Sequence, residues 1–132
     1  MPARYMARIA DGMLTEALAT GGAVQVKGPK WCGKTATSLQ QAASVVYLQD
    51  PDRSASYLAL ADAKPSALLE GRVPRLIDEW QMAPQLWDAV RFAVDLRGEP
   101  GQFILTGSST PTVGGAHSGV GRIGSPRVWW RV

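Results

Sequence analysis

The chain has one cysteine among its 132 residues, so no disulfide can form within it. That excludes a small secreted scaffold held by disulfides and makes a reducing compartment, the cytoplasm, the expectation. It has one histidine, His117, with no partner at metal-binding spacing, so His117 reads as a loop residue and no zinc site is assigned. Long apolar runs are missing. Nothing approaches the ~20 residues of a membrane helix, and the opening MPARYMARIADGM has no continuous apolar segment of the signal-peptide kind. Runs of basic residues are missing too. Fourteen Lys and Arg against eleven Asp and Glu give a net charge of +3, scattered along the chain. A nucleic-acid partner finds no support in that pattern.

What is present suits one globular domain: 45% of the residues are hydrophobic and 19% charged. Asp11 can cap a helix running to about Thr20, with Met13, Leu14, Ala17 and Leu18 on one face and Gly21-Gly22 as its stop. Ala23 to Lys27 reads as a strand. A glycine-containing loop follows, then a helix to about Ala43. SVVYLQ, from Ser44, is β-branched and apolar and reads as a second strand, broken by Pro51-Asp52. Ser54 to Ala63 predicts a helix, and Pro65 to Gly71 a shorter one. Arg75 to Asp78 is a third strand. Pro84 opens the best-patterned helix, with Leu86, Trp87, Val90, Ala93 and Val94 at helical spacing and Gly98 at its end. Gln102 to Thr106 is a fourth strand. From Ser108 onward Gly, Ser and Pro dominate and read as loop, up to the closing RVWWRV. Strands alternating with helices predict an α/β fold with a central parallel sheet.

The loop itself carries chemistry. Gly28-Pro29-Lys30-Trp31-Cys32-Gly33-Lys34-Thr35 fits G-x-x-x-x-G-K-[ST], with a strand before it and a helix after it. Such a loop wraps a phosphate in backbone N–H groups, which needs glycine where backbone and ligand approach closely. The following helix adds the positive end of its dipole. Lys34 would reach the outer phosphates and the Thr35 hydroxyl a Mg²⁺ ion, with Ala36 completing the phosphate-binding stretch. Cys32, at the helix start beside Lys34, reads either as an inert filler or as a thiol whose alkylation blocks the nucleotide.

Cleaving a phosphate needs more than a cradle. Mg²⁺ prefers carboxylate oxygens, and P-loop enzymes place an Asp at the end of a neighbouring strand. In RLIDE, Leu76 and Ile77 are the apolar strand residues and Asp78 is its tip, while Glu79 can orient water as a general base. The competing reading is a strand that ends in an acidic loop. In QFILTGSS, a polar residue at the next strand's tip can meet the γ-phosphate: Ser108 first, Thr106 second. Its rival is an ordinary strand-to-loop turn. Arg122, in GVGRIG, is either a solvated loop arginine or one lent to a neighbouring subunit's phosphate, which would make the protein a homo-oligomer. Trp80, Gln81 and Trp87 read as packing and helix-anchoring residues.

GPKWCGKT, PRLIDEWQMAPQLWDAVR, QFILTGSS and HSGVGRI together resemble the AAA-type ATPase domain of a bacterial and archaeal family whose members carry a C-terminal domain of unknown function. The similarity runs from about Tyr5 to Ile123. The resemblance implies a P-loop fold of AAA+ type with sheet order 5-1-4-3-2. It implies Lys34 and Thr35 on phosphate and Mg²⁺, Asp78 and Glu79 on metal and water, Ser108 as γ-phosphate sensor and Arg122 as a trans-acting arginine. Tyr5 and Arg8 would lie near the adenine, and ATP as the nucleotide comes from the resemblance alone. Residues 1–123 are then the ATP-binding domain and 124–132 a divergent tail. Family chains continue past the GRI with a basic-apolar strand and a long further domain, where this chain has GSPRVWWRV. The expectation is a truncated product, read out of frame after Ile123, with the fifth strand and lid missing or replaced in makeshift fashion by RVWWRV. The functional expectation is a Mg²⁺-dependent ATPase. The alternative is a nucleotide-binding regulatory module without efficient turnover, and the protein partner stays open.

Overall fold

A computed structural model describes residues 12–28 and 34–108, and for residues 27, 28, 34, 35 and 108 it describes the backbone alone. Helix α1 covers 12–20. Then come β1 (Ala23–Gly28), α2 (Lys34–Gln41), β2 (Ser44–Tyr47), α3 (Ser54–Ala63), a 3₁₀ turn (Pro65–Leu69), β3 (Arg75–Asp78), a second 3₁₀ turn (Trp80–Met82), α4 (Gln85–Arg97) and β4 (Phe103–Ser108). The expected second strand stops at Tyr47, because Asp50 N–H closes a turn onto the Tyr47 carbonyl. The short helix after Pro65 winds as 3₁₀, its Ala67 N–H donating to the Lys64 carbonyl.

The strands form one parallel sheet in the order β1-β4-β3-β2. The five-strand order 5-1-4-3-2 is therefore not matched as expected: four strands are present among the described residues. RVWWRV, the makeshift candidate for the fifth, lies outside them, as do Asp11 and the rest of the expected tail.

Both faces of the sheet are covered, as parallel sheets require. On one side Val24, Val26, Leu76 and Ile104 pack with Leu14, Ala17 and Leu18 of α1. Helix α2 lies on this side across β1, β4 and β3, tied to α1 by Gln41 Nε2 donating to Thr15 Oγ1 at 3.0 Å. On the other side Ala23, Ile77, Phe103 and Leu105 pack against Leu86, Trp87, Val90 and Val94 of α4. The helical spacing of α4 thus faces the core as its sequence predicts, while Phe92 and Leu96 on its far side are exposed. Gly98 ends α4 in the left-handed conformation at φ 65°, where glycine carries no side-chain penalty, and its N–H donates to the Val94 carbonyl.

Candidate active site

Strand register decides which residues meet at the carboxyl end of the sheet. Gly28 stands opposite Ser108, and Val26 opposite Thr106, which in turn stands opposite Asp78. The loop start, both candidate sensor positions and the acidic pair therefore share one edge, on strands spaced ~4.8 Å apart. Lys34 and Thr35 are the first two residues of α2, at the same end, and Ala36 is exposed on its first turn. Pro29, Lys30, Trp31, Cys32 and Gly33 fall outside the described residues, and so do Tyr5, Arg8, His117 and Arg122.

Side chains alternate across a strand. Asp78 shares parity with Leu76, and Thr106 with Ile104, so both point to the face that carries α2. Asp78 is buried, and the Thr106 hydroxyl donates to its Oδ1 at 2.7 Å. The same hydroxyl oxygen accepts the Glu79 N–H at 3.3 Å. One threonine thus fixes the carboxylate of Asp78 and the backbone of the next residue. From the sequence Thr106 ranks after Ser108 as the residue that meets the γ-phosphate. In the structure its hydroxyl holds the two acidic residues in place.

Glu79 is 4% exposed, and it adopts φ 59°, ψ 51°, the left-handed region that residues other than glycine seldom enter. Such strain persists only where neighbours over-determine it. They do so here at three points. Thr106 holds the N–H, the Met82 N–H donates to the Glu79 carbonyl, and Gln81 Nε2 donates to Glu79 Oε1 at 2.6 Å. Trp80 is buried in the α4-side core, its ring centroid 4.9 Å from that of Trp87, and this anchors the turn. The packing roles expected of Trp80 and Trp87 hold. Gln81 does more than pack, and its spacing two residues after the glutamate was the available signal.

Beside Asp78 lies an open hollow of about 270 Å³, lined also by Tyr47, Gln49 and Asp50 at the ends of β2 and β3. Asp50 is occupied in shaping the turn, its Oδ1 accepting the Asp52 N–H. A second hollow of about 280 Å³, between Thr20, Gly22 and Pro100, lies at the opposite end of the sheet.

The residues pass a simple test for Mg²⁺. Asp78 offers a hard carboxylate, oriented by a hydroxyl donor, on the face from which α2 begins; a metal-binding carboxylate held by such a hydrogen bond is the expected pattern. No helix among the described residues is long and apolar enough to cross a membrane.

A parallel α/β sheet with a glycine loop at the carboxyl end of its first strand and an acidic pair two strands away defines a P-loop-like nucleotide-binding class. A family model described as an AAA domain matches residues 20–129, most of the chain, and the protein belongs to that family of AAA-type ATPase domains. No curated protein and no solved structure shows a significant match.

Proposed function

We propose that the chain binds ATP with Mg²⁺ and hydrolyses the γ-phosphate. Family membership supports nucleotide binding. The observation that carries hydrolysis is the clamped acidic pair: Asp78 and Glu79, both buried at the tip of β3 and both held by Thr106.

In this reading the backbone from Gly28 to Thr35 cradles the phosphates, with Pro29, Lys30, Trp31, Cys32, Gly33 and Ala36 in the same stretch. Lys34 places a point charge on the outer phosphates. Thr35 and Asp78 would hold Mg²⁺, which when bound neutralises charge on the phosphate oxygens. Glu79 orients the attacking water and takes its proton. Ser108 at the end of β4, opposite Gly28, meets the γ-phosphate. Arg122 is the candidate for stabilising the transition state from a neighbouring copy, and a fifth strand of the 5-1-4-3-2 order would lie beyond the β1 edge.

Phosphate release from ATP tests this directly. Glu79→Gln is expected to lower turnover by about 10² or more while ATP binding survives, and Lys34→Ala to abolish binding. Binding without any Glu79-dependent release would replace hydrolysis with a nucleotide-binding regulatory role.

A further inference from the structure

Gln81 belongs to no phosphate-binding pattern, yet it makes a short side-chain contact at the carboxyl edge. Its Nε2 donates to Glu79 Oε1 at 2.6 Å. Its Oε1 lies against the backbone of β4 at Gly107, where an added Cβ would stand 2.7 Å from it and 3.1 Å from Trp80 Nε1. Gly107 precedes Ser108 and has the parity of Leu105, so it opens toward the side where Trp80 packs. Gln81 is exposed as a residue, but its carboxamide sits between the buried glutamate and a strand that has no side chain at the point of contact. A carboxylate on a long side chain samples several rotamers; a short, part-buried hydrogen bond to an amide seated on that strand favours one. General-base chemistry is sensitive to that selection, because a displacement of about 1 Å can cost about a hundredfold in rate.

We propose that Gln81 is a positioning residue for the reaction. It fixes the Glu79 carboxylate against the tip of β4, and Gly107 is the gap that lets it do so. This rests on the hydrolytic reading given above and deepens it. The role differs from packing, since Trp80 and Trp87 already anchor the turn.

The test uses the full chain with ATP and Mg²⁺ as probe, and two readouts. The first needs no turnover: the side-chain amide signal of Gln81 in ¹⁵N–¹H spectra of the free protein. It is expected at a shifted position in the wild type and at the ordinary glutamine position in Glu79→Ala. The second is steady-state hydrolysis. Gln81→Leu is expected to lower kcat about tenfold to a hundredfold with KM and ATP affinity within roughly twofold of wild type. Gly107→Ala keeps the glutamine but fills its place, and is expected to lower kcat in the same way. In a Glu79→Ala background Gln81→Leu should cause no further loss, which a general weakening of the turn would not reproduce. An amide signal indifferent to Glu79, an unchanged kcat, or a loss that persists undiminished without Glu79 overturns the proposal. If the amide signal responds to Glu79 but the wild type shows no Glu79-dependent release, it is the hydrolytic reading that has failed, and the positioning role goes with it.

Discussion

Arg75 and Asp78 stand at the two ends of β3, three residues apart, and each is tied by a hydrogen bond of 2.7 Å. What those bonds hold is different. At the amino end Arg75 Nε donates to the Leu68 carbonyl and Nη1 to Ser44 Oγ, which itself donates to the Arg72 carbonyl at 2.6 Å. The chain of bonds runs out onto backbone carbonyls, and its effect is to staple the 3₁₀ turn and the loop before β3 onto the sheet. Burial lowers the Arg75 pKa from its ordinary value, opposed by Tyr57. Gln102 at the start of β4 behaves alike, taking Arg97 Nη1 and donating to the Pro100 carbonyl. At the carboxyl end the acceptors are carboxylates: Thr106 donates to Asp78 and Gln81 to Glu79. Those bonds orient carboxylates and leave one residue in strained backbone geometry. Part-buried polar bonds therefore close loops onto one end of the sheet, and more deeply buried ones fix carboxylates at the other.

That contrast breaks most visibly at Arg75. Arg75→Met keeps the aliphatic stem but leaves the Leu68 carbonyl and the Ser44 hydroxyl without their donor. A loss of about 1.5–3 kcal/mol in denaturant unfolding is expected, with the rate of phosphate release per folded molecule unchanged. A fall in that rate at constant stability would show that the two ends are not separate in function.

Much of this arrangement can be read from residue types. RLID, FILTGS and AVQVKG announce their strands through apolar and β-branched content, and Pro84 and Gly98 bound α4 by the geometry that each prefers. Asp78 and Glu79 stand out because an acidic pair after two buried apolar residues is a local signal. What stayed hidden depends on register. Nothing local says that Thr106 falls opposite Asp78, since 27 residues, a helix among them, separate the two positions. The left-handed turn at Glu79 was equally hidden, because glutamate has no preference for it and the constraint arrives from Thr106 and Gln81. The gap at Gly107 looked like one more glycine before a Ser-Ser turn, and only the neighbouring strand's turn gives it meaning.

Thr106→Val sharpens the comparison from the other end. Valine retains the shape and suits β4, but it removes the hydroxyl shared by Asp78 and the Glu79 N–H. The expected cost in stability is about 1–2 kcal/mol. The telling readout is Mg²⁺: groups that orient a metal-binding carboxylate typically change affinity by about 10–100-fold when removed. The Mg²⁺ concentration giving half-maximal ATP binding should rise by about tenfold or more. If unfolding shifts while the Mg²⁺ dependence stays put, Thr106 is a staple like Arg75, and the carboxyl end loses its distinction.

The smallest expected effect lies between the two ends, in α2. Ser38 is fully buried, and its Oγ has no hydrogen-bond partner among the described residues. It sits one turn into the helix that follows the glycine loop, on the face toward β1, β4 and β3. A buried hydroxyl without a partner gives up its hydration for no return, and serine is a weaker helix former than alanine. If it serves neither closure nor preorganisation, Ser38→Ala should stabilise the chain by about 0.5–1 kcal/mol, seen as a later denaturant midpoint at unchanged slope, with ATP affinity unaltered. A loss of affinity instead would mean that the hydroxyl acts on the loop through the first turn of α2, which would extend the preorganised region one helical turn below the carboxyl edge.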